Sequence, residues 1–247
     1  MPFFVAENDS TPFLPIYIFE PSILNHPDSS LRHQQFIYHS ILNLNQILSK
    51  YKKEVIIFHG ETKEVFRSLI KNFEVNRVFS YQESGIKKTW DRDKSIKNIL
   101  IQQKILWTEF QRDGILRGIK NRDGWDKNWY ITMSKPIIQN KYKSSYQPVF
   151  NHSLNLPKSY ENQLLAYPIK YQKPGEDYAW KYLKSFCQER GKNYSKYISK
   201  PTESRMSCGR LSPYLAWGNI SIKQAAQYVK NHPNYNSNKR SFNGLLT

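Results

Sequence analysis

The chain has 247 residues and a formal net charge of +17, with 37 Lys and Arg against 20 Asp and Glu. Its length suits one large domain or two small ones with a buried core, and 39% hydrophobic with 23% charged residues exclude a chain too polar to fold. The basic excess points to a polyanionic partner or to a solvated basic surface, and no apolar run reaches the ~20 residues that span a bilayer.

The first half alternates short apolar runs with longer amphipathic ones. Leu14-Pro-Ile-Tyr-Ile-Phe19 reads as a buried strand closed by Glu20-Pro21-Ser22. Across residues 31–51, Phe36, Ile37, Ile41, Leu44 and Leu48 fall at helical spacing. Val55-Ile-Ile-Phe58 is a second strand ending at His59-Gly60, and Val65, Phe66, Leu69, Ile70 and Phe73 mark the next helix. Val78-Phe79 sits in a third strand, Ile96, Ile99 and Leu100 lie on a further helix, and residues 105–110 suggest a fourth strand. This alternation with short links predicts a Rossmann-like parallel sheet covered by helices on both faces. No strand is followed by GxGxxG, which argues against a nicotinamide dehydrogenase.

Residues 136–174 lose that periodicity. Pro136, Pro148, Pro157, Pro168 and Pro174, among many Asn, Ser, Tyr and Lys residues, mark an ordered linker that Tyr142, Tyr146, Val149, Phe150, Leu164 and Leu165 could anchor. After Gly175 helical signals take over. Glu176-Asp177 suit a helix start, Ala179, Leu183 and Phe186 form one stripe, and Gly191 is a fitting stop. Ser212-Pro213 opens another helix, and Ser221-Ile-Lys-Gln224 is a capping-box pattern opening a third. Residues 231–239 read as a polar loop, with an apolar-bearing segment from Ser241. The expected division is 1–135 α/β, 136–174 linker and 175–247 helical.

Charge follows this division. Residues 1–135 hold 20 basic and 15 acidic side chains, whereas residues 136–247 hold 17 and 5. A phosphate backbone would therefore be met by the second part. The opening Met1-Pro-Phe-Phe-Val-Ala lacks the basic-then-apolar layout of a secretory leader. Cys187 and Cys208 cannot frame a disulfide scaffold, so a reducing, cytoplasmic setting is expected.

The most informative segment is Ser207-Cys-Gly-Arg-Leu-Ser-Pro-Tyr-Leu-Ala-Trp-Gly-Asn-Ile-Ser221. Small residues lead into a helix start flanked by Arg210 and Ser212. Backbone N–H groups, a hydroxyl and a guanidinium would converge there on an anion such as a diphosphate. The plainer reading is an ordinary Ser-Pro helix start. His26, His33, His39, His59, His152 and His232 have no metal-ligand spacing and read as structural, so no metal is expected. Asp91 and Asp93, near Glu83, suggest paired carboxylates, but a helix start favours such charges through its dipole. Asp113-Gly114 and Asp123-Gly124 mark turns.

The run Arg210-Leu-Ser-Pro-Tyr-Leu-Ala-Trp-Gly-Asn-Ile-Ser221 resembles a segment of the photolyase/cryptochrome flavoproteins, in which Thr-Ser-Arg-Leu-Ser-Pro-Tyr-Leu holds the FAD diphosphate. Less specific likenesses keep the family's order. Leu14-Pro-Ile-Tyr-Ile-Phe-Glu-Pro21 resembles the second strand of its antenna domain, and Thr89-Trp-Asp-Arg-Asp93 its Arg-Asp helix start. Asn121-Arg-Asp-Gly-Trp125 is similar to a late antenna-domain segment, and Gly175-Glu-Asp-Tyr-Ala179 to the opening of the FAD-binding domain. The resemblance thus implies an α/β antenna domain followed by the beginning of an all-helical FAD-binding domain.

Carried over by position, the cofactor-binding residues are Cys208, Gly209, Arg210, Leu211 and Ser212. Cys208 and Gly209 replace the usual Thr and Ser, removing two hydroxyl donors. Anchoring on Pro201 puts the family's upstream phosphate-side Tyr at Tyr194, with Tyr197 as the competing choice. Trp217 could pack near the cofactor, and the other five tryptophans read as core or interdomain packing.

The implied activity is that of a bacterial class I-like deoxyribodipyrimidine photo-lyase, a carbon–carbon lyase. Such enzymes flip a pyrimidine dimer out of damaged DNA and split it with photoexcited reduced FAD. A cryptochrome-type blue-light photoreceptor and an inactive fragment are the alternatives. The implied partner is DNA containing pyrimidine dimers, with no membrane and a monomeric chain. A second, antenna chromophore is common in the family, and no residue here identifies one. The family's first strand would precede Leu14, and its catalytic residues would follow Thr247. The chain is therefore expected to be an internal piece that holds FAD poorly by itself.

Overall fold

The structure is a computed structural model that describes residues 1–246. Pro2 opens α1 (Pro2–Asn8), a short helix that sequence periodicity did not announce. β1 (Ile16–Phe19) follows, then a single helical turn, α2 (Pro21–Leu24), and the long α3 (Leu31–Leu48), extended by a 3-10 turn over Ser49–Tyr51. β2 (Ile56–His59) pairs in parallel with β1, Ile16 opposite Ile56 and Phe19 opposite His59.

The two-residue period of these strands sorts their side chains to opposite faces. Ile16, Ile18, Ile56 and Phe58 pack with Val65 and Leu69 of α4 (Thr62–Asn72). Tyr17, Phe19, Val55 and Ile57 pack with Ile37, Tyr38, Ile41 and Leu48 of α3. Helices on both faces explain why these strands read as continuous apolar runs. Burying Phe58 alone is worth roughly 1.5–3 kcal/mol. Glu61 and Glu64 complete a capping box that starts α4 close behind β2.

β3 (Arg77–Tyr81), α5 (Lys87–Gln102) and β4 (Leu106–Phe110) form the next parallel unit, with Arg77 opposite Leu106 and Tyr81 opposite Phe110. Ile96 and Leu100 of α5 pack with Ile105, Val78 and Trp107, and with Phe66 and Ile70 of α4. The expected α/β class with parallel strands is thus present. Among the described residues the strands form two separate pairs, β1–β2 and β3–β4, and not one continuous sheet. The α5 helix opens at Lys87, so Asp91 and Asp93 lie beyond its first turn and do not serve its dipole as expected.

The later helices are α6 (Trp125–Ser134), α7 (Lys158–Leu165), α8 (Glu176–Gln188), α9 (Tyr194–Tyr197), α10 (Pro201–Ser207), α11 (Ser212–Ala216), α12 (Ile222–Asn231) and α13 (Lys239–Leu246). The chain divides into two compact units, residues 1–112 with 138–168, and residues 113–137 with 169–247. This division crosses the sequential boundaries at 135 and 174 because packing overrides chain order. In the first unit, Tyr142, Leu156, Tyr160 and Leu164 join the α3 cluster, and Phe150 and Leu154 the α4 cluster. Tyr146, Val149 and Leu165 stay exposed instead of anchoring this segment. In the second unit, Gln227 of α12 donates to Met133 O at 2.7 Å and Lys135 O at 2.8 Å, tying α6 to the later helices.

The second unit buries Leu183, Phe186, Tyr214, Ile220, Val229 and Phe242. Its α8 ends at Gln188, three residues ahead of Gly191. Gly191 is needed for packing, since a Cβ there would stand 2.7 Å from the Phe186 ring. Ser221 forms the expected capping box with Gln224 at the start of α12. Gly114 and Gly124 take left-handed φ values of 81° and 72°, as Asp-Gly turns require.

Candidate functional site

The site is built where α8 and α10 end. At Glu189 the backbone leaves helical geometry, and Arg190 folds back over the last turns of α8. Its Nη2 donates to Tyr182 O at 2.9 Å and its Nε to Ser185 Oγ at 3.0 Å. Its Nη1 donates to Cys208 O at 2.5 Å, eighteen residues along the chain. Cys208 caps α10 in an extended conformation, Gly209 is buried, and Arg210 takes a left-handed φ of 58°. Ser212 and Pro213 then open α11, which has only five residues.

Two cations share one aromatic ring. The guanidinium carbons of Arg190 and Arg210 each lie 5.9 Å from the Tyr182 ring centroid. Tyr182 packs against Tyr214, whose hydroxyl donates to Lys173 O at 2.8 Å. Gln172 Nε2 donates to Arg210 O at 2.9 Å, and Arg210 Nη2 reaches Arg205 O. Burial, then the Arg210 charge, hold the Arg190 guanidinium below its ordinary value. Among the described residues neither guanidinium has a carboxylate within ion-pair distance.

The predicted residues separate into two groups. Arg210 and Ser212 are exposed and Cys208 is half-buried, so these three can meet a ligand. Gly209 and Leu211 are buried and act as scaffold; a Cβ on Gly209 would stand 2.5 Å from Leu245 Cδ1. Tyr194 lies near Cys208: burial first, and then the nearby Cys208, push its hydroxyl above the ordinary tyrosine value. Its ring meets Phe186 edge-on at 5.7 Å. Tyr197 lies between Lys196 and Lys200, and no described hydrogen bond or ring contact joins it to residues 208–212. A guanidinium and a hydroxyl, with a second guanidinium behind them that meets no carboxylate among the described residues, fit a diphosphate. Arg190 and Tyr182 carried no local sequence signal as site residues, because the partners that bring them to the loop, Cys208, Arg210 and Tyr214, lie eighteen or more residues along the chain.

The first unit holds a second polar cluster. Arg92 pairs with Asp93 at 2.8 Å and with Glu20 and Glu83 at 3.4 Å each. One cation shared among three carboxylates explains Glu83 and Asp93 as charge compensation, not as a general acid/base pair. Trp90, Trp125 and Trp217 are exposed, which corrects the packing reading for the first two, while the Trp107 indole donates to Ser80 Oγ at 2.9 Å. Among the described residues no three His, Cys, Asp or Glu side chains group as metal ligands, and no helix is long and apolar enough to cross a membrane.

These features define a parallel α/β protein with an attached helical unit that presents a cationic loop. Residues 2–120 match the family model described as DNA photolyase. The fold resembles a bacterial class III photolyase from Agrobacterium tumefaciens, with TM-score 0.67, 20% identity, and coverage of 94% of this chain and 51% of that one. It also resembles an archaeal photolyase from Sulfolobus tokodaii, solved with two FAD molecules, with TM-score 0.68, 18% identity, and coverage of 99% and 56%. The chain thus spans about half the length of these photolyases, and at these identities the likeness is one of fold. No curated protein matches the sequence.

Proposed function

We propose that this chain belongs to a light-driven, FAD-dependent DNA-repair protein of the deoxyribodipyrimidine photo-lyase type, acting on pyrimidine dimers. The observation that carries this reading is that Arg210 and Ser212 are both exposed on one short loop, with Arg190 sharing the Tyr182 ring with Arg210 and no carboxylate among the described residues within ion-pair distance of either guanidinium. Arg210 and Ser212 would hold the FAD diphosphate, Cys208 and Tyr194 would border it, and Gly209 and Leu211 would support the loop. When bound, FAD supplies light absorption and electron donation. The chain's own work is to bind and orient it. With 19 basic and 7 acidic side chains, the second unit has a net +12 over residues 113–137 and 169–247, which suits a surface that meets a phosphate backbone.

The test uses protein purified from the complete reading frame. Bound yellow flavin, tighter binding to ultraviolet-damaged than to intact DNA, and light-dependent loss of dimers are the expected results. Affinity for DNA should also fall steeply with salt. Flavin photoreduction without dimer loss, and equal affinity for both DNAs, would replace repair with a photoreceptor role. Arg210→Ala should lower flavin retention, and unchanged flavin content would remove Arg210 from the site.

A further inference from the structure

We propose that Arg190 is the positioning residue of the 208–212 segment, bracing the loop from which Arg210 and Ser212 reach a diphosphate. The proposal rests on reading that segment as the diphosphate site. A guanidinium offers N–H donors in a rigid fork, and Arg190 aims three of them at Tyr182 O, Ser185 Oγ and Cys208 O. The first two acceptors belong to α8, and the third is the residue where the chain leaves α10. Arg190 therefore pins the start of the loop to α8, which is itself anchored by the buried Ala179, Leu183, Phe186 and Cys187.

The turn that follows is strained. Arg210 has a φ of 58°, a region L-residues enter at a cost of about 1–2 kcal/mol. Side chains take the carbonyls on both sides of that strain, Arg190 at Cys208 O and Gln172 at Arg210 O. The result is a fixed departure angle for the Arg210 side chain. Arg190 also stands close enough to Arg210 for the two charges to oppose each other, with Tyr182 shared between them. A dianionic ligand at Arg210 relieves that repulsion, so Arg190 favours the bound state without touching the ligand.

The test is backbone-amide NMR of the chain titrated with inorganic pyrophosphate at low ionic strength. In the wild type, the amides of Gly209 to Ser212 should shift and saturate. In Arg190→Met they should already be displaced without ligand, while Ala225 and Val229 keep their positions. Pyrophosphate affinity should fall about tenfold, the scale of one charge-assisted hydrogen bond. Arg190→Lys, which keeps the charge and loses the fork, should recover only part of it. A wild type that gives no response to pyrophosphate would overturn the diphosphate reading itself. A normal wild-type response with Arg190→Met affinity within about twofold would overturn only the positioning role. Full affinity in Arg190→Lys would also overturn it, and that variant decides alone if Arg190→Met does not fold.

Discussion

The Thr62 hydroxyl donates to Glu20 Oε2 at 2.8 Å, joining the residue after β1 to the first residue of α4. Glu20 is buried, and Arg92 Nη1 stands 3.4 Å from the same oxygen. A carboxyl at the end of a parallel strand thus fixes the start of the helix that covers the β1–β2 pair.

That burial sets a pH dependence. Desolvation is the leading influence on Glu20 and raises its carboxyl above the ordinary glutamate value, against the lowering by Thr62 and Arg92. A carboxyl raised in the folded state contributes stability while protonated, and loses it as pH rises through the folded value. Glu20→Gln removes this titration. The midpoint of the variant minus that of the wild type should therefore increase from about pH 4 to about pH 7. Thermal unfolding at several pH values checks this, and a flat or falling difference sinks it.

Gln35 is one side-chain brace between α3 and the end of α7, donating to Gln163 O at 2.7 Å and Ala166 O at 3.1 Å. Carbonyls at a helix C-terminus lack intrahelical partners. Gln35→Ala should cost roughly 1–3 kcal/mol in urea unfolding of the first unit. A loss below about 0.5 kcal/mol would mean that water satisfies those carbonyls.

Ser221 Oγ accepts from Gln224 N at 3.1 Å, and the Ser221 backbone N–H donates to Gln224 Oε1 at 2.9 Å in return. Ser221→Ala should destabilise the second unit by about 1 kcal/mol, and Ser221→Gly by only a few tenths. Denaturant midpoints of the two variants compare these costs directly. Equal losses would show that the missing Oγ acceptor, which both variants share, sets the cost, with no separate contribution from backbone conformation.

The two thiols should differ in reactivity. Cys187 is buried, and burial pushes its thiol up to about 12, so it stays protonated at neutral pH. Cys208 is half-buried at the loop. Iodoacetamide at neutral pH should alkylate Cys208 at least about tenfold faster, since the thiolate is the nucleophile. Peptide mass mapping over time reads the ratio, and comparable rates would place Cys187 in a more open environment.

Local pattern made much of this protein legible. The apolar period of β1 and β2, the stripe of α3, the Ser221 cap and the Asp-Gly turns follow from interactions within a few residues, so their sequence windows suffice. The same holds for Ser212-Pro213, where the start of α11 is set locally. α7 was hidden because it has eight residues and is held largely by Leu164 packing on α3.

Sequence alone thus determined the α/β character, the surplus of basic charge toward the later helices, and the segment that offers Arg210 and Ser212. Only the tertiary structure decided that residues 113–137 pack with the later helices, and that Gly209 and Leu211 turn inward. It also brought Arg190, eighteen residues earlier, onto Cys208 O beside Arg210. The reason is physical: periodicity and capping report what neighbours along the chain prefer. A guanidinium chooses among carbonyls only once folding has brought them together.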